Sequence, residues 1–419
     1  MSKVWPTPTI NEVCRVVNGG TPKTKVSEYW DGLHNWITPA EMGKRKSPYV
    51  KQTDRTLTEK GLAHCSAKML PEFSVILSAR APIGHLVINE VPMASNQGCK
   101  GLVPSKNLLH KFLYYFLLAN VELLNSLGTG TTFKELSATK LKGVRIPLPS
   151  LPEQKRIVEI LDEAFEAIDK AIANTERNIR NAEELLLSCL DAVFLDNQHK
   201  WPRIKLMKLT SKIGSGSTPR GGAKSYKTEG ISLIRSLNVH DRSFRTEKLA
   251  HIDKMQAEKL SNVKVHSGDV LFNITGASIA RCCIAPEEVL PARVNQHVSI
   301  LRPVKEHLHS AFLCFQLTSP SFKKKLLGVG EEGGSTRQAI TKSQLQNLKV
   351  HVPDSVEEQI AISNHLDRVM EESQDLTEIA CKKQCLLETL RQSILQKAFT
   401  GELSKDFRAI EHALSEAGA

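Results

Sequence analysis

Two long segments of the chain place apolar residues at alternating steps of three and four, which is the period of one face of an α-helix. The first stripe spans residues 157–193 and the second spans residues 362–394. Neither Gly nor Pro occurs between residues 153 and 194 or between residues 357 and 399. The pattern predicts two uninterrupted helices of about 42 residues and about 63 Å, well above the usual length of roughly 11 to 12 residues.

Each stripe is narrow, so neither helix can bury its apolar face alone, and the natural partner of each helix is the other. The first stripe consists of Ile157, Leu161, Ala164, Ile168, Ala171, Thr175, Ile179, Ala182, Leu186, Cys189 and Val193. The second consists of Ile362, Leu366, Val369, Ser373, Leu376, Ala380, Lys383, Leu387, Leu390 and Ile394.

The two helical segments are copies of one another. Shifting the chain by 205 positions aligns them without a gap, and polar residues match as well as apolar ones. The matches include Glu153/Glu358, Gln154/Gln359, Leu161/Leu366, Asp162/Asp367, Ser188/Ser393 and Phe194/Phe399. Two unrelated amphipathic helices would share apolar spacing but not these polar positions, so the chain contains an internal duplication.

The segments before each helix repeat more loosely, with Gly and Pro punctuation around short apolar runs that is typical of a small α+β globule with a curved sheet. The clearest pairs are Gly20-Thr21-Pro22-Lys23 with Ser217-Thr218-Pro219-Arg220, and Asn96-Gln97 with Asn295-Gln296. The predicted plan is a globule (1–150), a central long helix (151–195), a second globule (196–354), a second long helix (355–400) and a tail (401–419).

Charge follows the same boundaries. Residues 1–150 hold 19 Lys and Arg against 10 Asp and Glu, and residues 196–354 hold 25 against 13. The helical segments are acidic, with 5 against 10 in residues 151–195 and 7 against 12 in residues 355–419. Basic charge confined to two blocks is typical of two surfaces that approach phosphates, whereas a protein that served only as a scaffold would not need it.

Several protein classes are excluded by composition. The longest apolar run, residues 112–119, is far short of the roughly 20 residues that a membrane span needs. The first residues carry no signal-peptide pattern, so a reducing cytoplasm is expected. Nine Cys are scattered without a C-x-x-C pair, which argues against disulfides and zinc. Core or seam packing is predicted for them, including Cys381 and Cys385.

Motifs of nucleic-acid-modifying enzymes are missing. The sequence has no phosphate-binding G-x-x-x-x-G-K-[ST] loop, no H-E-x-x-H, and no Asn-Pro-Pro-Tyr or Asp-Pro-Pro-Tyr tetrad. Gly128-Thr129-Gly130 lacks a third glycine and is read as a polar loop. Pro353-Asp354 is read as the start of the second helix, with Asp354 or Ser355 as its N-cap. No catalytic or metal-binding residue is predicted.

The duplicated plan and its order of short phrases resemble the DNA-specificity (S) subunits of type I restriction-modification systems, over essentially the whole chain. The phrases are Gly19-Gly20-Thr21-Pro22-Lys23, Gly216-Ser217-Thr218-Pro219, Ser78-Ala79-Arg80-Ala81-Pro82-Ile83-Gly84, Asn96-Gln97-Gly98, Pro149-Ser150-Leu151-Pro152-Glu153-Gln154-Lys155, Glu357-Glu358-Gln359, and residues 393–403. The second globule departs from the first, because Asn273-Ile274-Thr275-Gly276-Ala277 stands where the first globule has Arg80.

The resemblance implies that each globule is a target-recognition domain and that the helices form an antiparallel coiled coil separating them. It implies a bipartite double-stranded DNA target, assembly with two modification (methyltransferase) subunits, and assembly with restriction subunits that carry a motor and a nuclease. S-adenosylmethionine, ATP and magnesium would then belong to those partners, and this chain would be a non-catalytic, cytoplasmic subunit.

Candidate DNA contacts follow from side-chain chemistry, because Lys and Arg suit phosphates and guanine while Asn and Gln suit adenine. In the first globule they are Thr21, Lys23, Lys25, Lys44, Arg45, Lys46, Arg80, Asn96, Gln97, Thr131, Thr132 and Lys134. In the second they are Thr218, Arg220, Lys224, Arg235, Asn273, Thr275, Asn295, Gln296, Ser335, Thr336 and Arg337.

Other readings stay open for some of these residues and for the chain as a whole. Asn96 could cap a turn, Arg80 could be an ordinary surface residue, and the Gly-flanked loops of residues 131–134 and 335–337 could be plain hinges. A stand-alone enzyme that modifies nucleic acid through an unrecognised site is the alternative to a specificity subunit.

Overall fold

The computed structural model describes residues 5–130, 134–331 and 339–403. The chain forms two compact units, each made of one globule and parts of both long helices. Unit 1 comprises Met1–Asn174 and Lys382–Ala419, and unit 2 comprises Thr175–Cys381. Within the described ranges, none of the helices combines the length and the hydropathy that crossing a bilayer requires.

Unit 1 is built on a five-stranded sheet of order β1-β8-β5-β6-β3 and a three-stranded sheet of order β4-β2-β7. The strands are β1 (Cys14–Asn18), β2 (Trp30–Ile37), β3 (Tyr49–Val50), β4 (Thr56–Leu57), β5 (Val75–Ala79), β6 (Ile83–Asn89), β7 (Ala94–Ser95) and β8 (Cys99–Pro104). The helices are α1 (Ile10–Val13), α2 (Pro39–Met42), α3 (Glu59–Ala63), α4 (His110–Ala119), α5 (Val121–Leu127) and α6 (Ala138–Lys142). Every residue of β5 is buried, as expected for a central strand covered on both faces.

The long helix α7 (Leu151–Asp196) follows, and the strands of unit 2 repeat the frame of unit 1. They are β9 (Arg203–Lys205), β10 (Thr210–Ser215), β11 (Ile231–Ile234), β12 (Val239–His240), β13 (Ser243–Phe244), β14 (Ala250–Ile252), β15 (Val270–Asn273), β16 (Cys282–Ile284), β17 (Ala292–Val294), β18 (Val298–Pro303) and β19 (Lys349–His351). Helices α8 (Leu206–Leu209), α9 (Lys254–Glu258), α10 (Ser310–Thr318), α11 (Pro320–Glu331) and α12 (Lys342–Asn347) precede the second long helix, α13 (Val356–Thr400).

The sheets of the two units share most of their strands, although the edge strand β3 of unit 1 has no counterpart in the four-stranded sheet of unit 2. The order β10-β18-β15-β16 in unit 2 matches β1-β8-β5-β6 in unit 1, and β14-β11-β17 matches β4-β2-β7. The parallel pairing of β2 with β7 also recurs, between β11 and β17. The predicted α+β fold with an internal duplication is therefore confirmed.

The long helices have the predicted length and pair antiparallel in each unit. Unit 1 holds the first part of α7 and the last part of α13, where Asp169 accepts a hydrogen bond from Arg391. In unit 2 the hydroxyl of Ser373 donates to the carbonyl of Ala182 at 2.8 Å. At the start of α13, Ser355 is the N-cap, since its Oγ accepts from the backbone N–H of Glu358 at 3.2 Å.

The phase of the second stripe differs from the prediction. Leu376 and Leu390 are 52% and 48% exposed and Lys383 is also exposed, whereas the next residue in each case is partly buried. The partly buried residues that follow Leu376, Lys383 and Leu390 are Thr377, Gln384 and Arg391. The predicted stripe therefore followed the larger apolar side chains, while the helix turns the adjacent, more polar ones toward its neighbours.

Most cysteines pack as predicted, but two do not. Cys14, Cys99, Cys282, Cys283 and Cys314 are buried, and Cys65 and Cys189 are partly buried. Cys381 and Cys385 are exposed on α13, so the prediction of core or seam packing is wrong for both. Their spacing of four places them on the solvent side of a helix whose packed face lies elsewhere.

Candidate nucleic-acid interface

The Asn96-Gln97 phrase forms a tight turn between β7 and β8 in unit 1. The side-chain amide of Asn96 donates to Thr21 Oγ1 at 3.0 Å, and its Oδ1 accepts from the backbone N–H of Gly98 at 2.8 Å. These bonds tie the turn to the Gly19-Gly20-Thr21 loop and leave Gln97 exposed. Asn96 therefore holds the turn, while Gln97 is the residue that the turn presents.

The glycines beside this turn are required for a close backbone approach. A Cβ on Gly19 would lie 2.0 Å from the carbonyl oxygen of Asn96, and a Cβ on Gly20 would lie 2.2 Å from the backbone nitrogen of Ala67. In unit 2, a Cβ on Gly216 would lie 1.8 Å from the carbonyl oxygen of Val294. The repeated glycine phrase thus allows a close backbone approach to the Asn-Gln turn in unit 1 and to the end of β17, next to the equivalent turn, in unit 2.

The corresponding turn in unit 2 uses the same asparagine bond. Asn295 is 4% exposed, and its Oδ1 accepts from the backbone N–H of His297 at 3.0 Å. Gln296 is exposed, but its Oε1 accepts from the backbone N–H of Thr218 at 2.7 Å. In unit 2, therefore, Asn295 bonds within its own turn and Gln296 bonds to the backbone of the neighbouring loop that contains Thr218.

Asn273 and Asn295 do not belong to an exposed surface. Asn273 is fully buried, and its amide donates to the carbonyl of Ser236 at 2.9 Å. A side chain enclosed in this way is not available to a base or a phosphate in this conformation. The prediction of a DNA contact is corrected for these two asparagines, which are structural residues of the loop and of β15.

Arg80 follows β5 and lines a cleft together with residues that include Thr38, Pro39, Asn96, Gly98 and Glu135. Its guanidinium is 3.6 Å from the carboxylate of Glu135, and the two side chains are 38% and 45% exposed. The structural counterpart of Arg80 is Thr275. The residue before each accepts an equivalent backbone hydrogen bond. The carbonyl of Ala79 accepts from the N–H of Leu136, and the carbonyl of Ile274 accepts from the N–H of Ile340, both at 2.8 Å.

The basic candidates fall into an exposed group and an internally bonded group. The exposed group contains Lys23, Lys25, Lys44, Lys46, Lys134, Arg220 and Lys224. Arg45, in contrast, pairs with the buried carboxylate of Glu41, and Arg235 donates to the carbonyl of Lys248 and lies 5.2 Å from the ring of Tyr226. The two arginines therefore stabilise their own loops, while the exposed group remains available for phosphates.

Five candidates lie outside the described residues: Thr131, Thr132, Ser335, Thr336 and Arg337. The described flanks of the first of these loops are ordered by backbone bonds, since Thr129 and Glu135 exchange two of them, at 3.0 and 2.8 Å. The DNA contacts predicted for these loops stay predictions.

Three side chains near the candidate residues were not predicted from the sequence. Arg55 stacks on Trp30, with its guanidinium carbon 3.5 Å from the ring centroid. His297 shares a hydrogen bond of 2.6 Å with the hydroxyl of Thr275, and Glu135 pairs with Arg80. Arg55 had no local signal, because its stacking partner Trp30 lies 25 positions earlier in the chain. Glu135 had none, because a single acid in a basic loop looks like ordinary surface.

Across the described ranges, no three His, Cys, Asp or Glu side chains are grouped so as to hold a metal ion. Burial raises the pKa of the Cys14 and Cys99 thiols to about 12, so neither forms a thiolate at neutral pH.

What the two units offer is exposed cations and polar turns on fixed backbones, which suits recognition of an extended polyanion. The class is a duplicated recognition protein.

The family model for the type I restriction modification DNA specificity domain matches residues 3–179 and again residues 212–384. The chain belongs to this family, and the predicted resemblance is confirmed. The chain is similar to the type I restriction enzyme MjaIX specificity subunit of Methanocaldococcus jannaschii, with 33% identity over 196 residues, 46% of this chain and 44% of that protein. It is also similar to the EcoR124I/EcoR124II specificity subunit of Escherichia coli, with 32% identity, 39% of this chain and 41% of that protein.

The matched stretches span less than half the length of each of these two relatives. A solved chain from a structural study of complex assembly and conformational transition in the type I R-M system covers 96% of this chain and 99% of its own length, with a TM-score of 0.75 and 20% identity. That likeness concerns the fold. The relatives are named as specificity subunits of type I restriction enzymes, so the comparisons support the predicted subunit and not the alternative of a stand-alone modifying enzyme.

Proposed function

We propose that this chain reads a bipartite double-stranded DNA target, with one half-site contacted by each unit. The observation that carries the proposal is the duplicated turn: Asn96 and Asn295 each hold the same turn beside a glycine-threonine-proline loop in a basic globule. Exposed lysines around these loops would contact phosphates, and the turn and cleft residues would contact base edges. Because the side chains of the two units differ, the two half-sites would differ in sequence.

The helices would serve as the spacer between half-sites and as the dock for partner subunits. The support is a set of exposed apolar side chains on α13, Leu376 and Ile379 in unit 2 and Leu386 and Leu390 in unit 1, which are 48–68% exposed. Apolar side chains that stay exposed on a long helix are typical of a protein interface. Two modification (methyltransferase) subunits and the restriction subunits would bind there, and S-adenosylmethionine, ATP and magnesium would belong to them.

The test is methylation of DNA by the purified chain with and without its modification subunit. The chain alone is expected to transfer no methyl group, and the assembled complex is expected to methylate one bipartite sequence in a randomised double-stranded library. Sequencing of methylated products reports both half-sites and the spacer. Methyl transfer by the chain alone, or a single continuous target, would contradict the proposal.

A further inference from the structure

The recognition loops of the two units differ in charge at their matched position after β5 and β15. Unit 1 has the Arg80–Glu135 pair there, whereas unit 2 has the neutral hydroxyl of Thr275 bonded to His297. The two positions share one equivalent backbone bond, to Leu136 in unit 1 and to Ile340 in unit 2. The chain beyond them differs, because Arg80 leads into β6 whereas Thr275 is followed by a short helical turn at residues 276–278. Unit 1 therefore has a pair of opposite charges at this position, whereas unit 2 has a hydroxyl group bonded to an imidazole.

The side chain of Arg80 is held along its stem while its guanidinium remains open. A Cβ on Gly98 would lie 3.2 Å from Arg80 Cγ and 3.2 Å from Asn96 Oδ1, so the absence of a side chain at Gly98 makes room for the arginine. The next residue, Ala81, has a φ of 43°. A positive φ at a residue other than Gly is costly, and such residues cluster at ligand-binding loops.

The carboxylate of Glu135 argues against a simple phosphate contact for Arg80. At 3.6 Å it offsets the charge of the guanidinium, and it would itself repel a phosphate. A base edge is different, because an arginine oriented by a carboxylate keeps the planar fork that matches O6 and N7 of guanine in the major groove. Thr275 and His297 cannot form such a fork.

We propose, on the basis of the proposed function, that Arg80 reads a guanine in the half-site of unit 1 and that Glu135 is the positioning residue for its guanidinium. Unit 2 has no equivalent arginine and reads its half-site without a guanine contact at the matching position. The target class of unit 1 is thereby narrowed to half-sites that contain a G·C pair opposite this cleft.

The experiment uses the full chain assembled with its modification subunit and a double-stranded library randomised over both half-sites. Wild type is compared with R80Q, R80K and E135Q, and binding is measured at several salt concentrations. R80Q is expected to reduce the preference for guanine at a single position of one half-site by roughly ten- to a hundredfold. E135Q is expected to weaken preference at that same position by a smaller factor, and R80K, which keeps the charge but not the fork, by an intermediate one.

K134A is the matched control, because Lys134 is an exposed cation one residue from Glu135. Loss of this cation is expected to weaken binding equally for all sequences. The dependence of log K on the logarithm of the salt concentration is expected to become shallower by about 1. If R80Q gives this uniform pattern, Arg80 is a phosphate contact and the inference is overturned while the proposed function stands. A wild-type complex that selects no sequence would overturn both. The thermal unfolding of each variant is compared with that of wild type. If R80Q does not fold, R80K still tests the inference, because it keeps the charge and loses only the planar fork.

Discussion

The buried glutamine near the start of each long helix makes the same three hydrogen bonds in both units. Gln154 accepts from the N–H of Leu109 at 2.9 Å and donates to the carbonyls of Asn107 and Pro149, at 3.0 and 2.9 Å. Gln359 accepts from His309 at 2.8 Å and donates to His307 and Pro353, at 3.1 and 3.0 Å. Each glutamine thus joins the loop before α4 or α10 to the start of α7 or α13.

The surface that this shared frame presents differs between the units. Unit 1 offers the Arg80–Glu135 pair and the stacked Arg55. Unit 2 instead offers Thr275 with His297, and a Gln296 bonded to the backbone of Thr218 in the neighbouring loop. Buried polar groups must keep their partners, because losing one leaves an unsatisfied group, while exposed side chains carry no such requirement. The two units therefore share the part of the structure in which a substitution would lower the free energy of unfolding, and they differ in the exposed side chains.

The strongest way to break the comparison is to exchange one globule. If residues 1–150 are replaced by the equivalent globule of a related specificity subunit, one half-site is expected to change completely and the other to stay the same. The physical reason is that each unit has its own core and its own candidate surface. Sequencing of methylated targets from the assembled complex measures the outcome, and a simultaneous change in both half-sites would show that the units are not independent readers.

Core leucines at matched positions test whether the two units depend equally on their helices. Leu161 in unit 1 and Leu366 in unit 2 are both 0% exposed and occupy the same place in the repeat. Leu161→Ala and Leu366→Ala are each expected to lower the free energy of unfolding by about 2–5 kcal/mol. Urea unfolding measures the free energy, and hydrogen exchange measures the protection of backbone amides in each unit separately. Protection lost in the unmutated unit would mean that the two do not unfold separately.

Sequence reasoning reached the helices and the duplication because both are written in local patterns. The lack of Gly and Pro fixed the extent of α7 and α13 to within a few residues, and the shared Glu-Gln phrase marked their equivalent starts. Turn capping by Asn96 was one of the open readings because its bond to Gly98 is local, whereas its bond to Thr21, 75 positions away, was beyond reach. The burial of Asn273 was equally hidden, because its acceptor Ser236 lies 37 positions away.

The shared glutamines offer a finer comparison of the two frames. Gln154→Ala and Gln359→Ala each strand one N–H and two carbonyls, and each is expected to cost about 1–3 kcal/mol. Equal losses are expected because the bonding is equal. Glu163→Ala, at an exposed position of α7, is the control and is expected to stay within about 0.5 kcal/mol of wild type. A loss in only one unit, measured by the same urea experiment, would contradict the equivalence of the two frames.

The smallest effect on stability is expected where the sequence and the structure disagree about the seam of α13. If Leu376 in unit 2 and Leu390 in unit 1 packed in the seam, replacing either by Gln would cost several kcal/mol. Both are about half exposed, so Leu376→Gln and Leu390→Gln are each expected to change the free energy of unfolding by less than about 0.5 kcal/mol. Under the proposed docking of partners on this face, both variants should still weaken association with the modification subunit, as titration of the labelled chain would measure. A decrease of more than about 2 kcal/mol in the free energy of unfolding would mean that these leucines pack in the seam, as the sequence predicted. Unchanged association of a stable variant with the modification subunit would mean that these leucines do not contact that subunit.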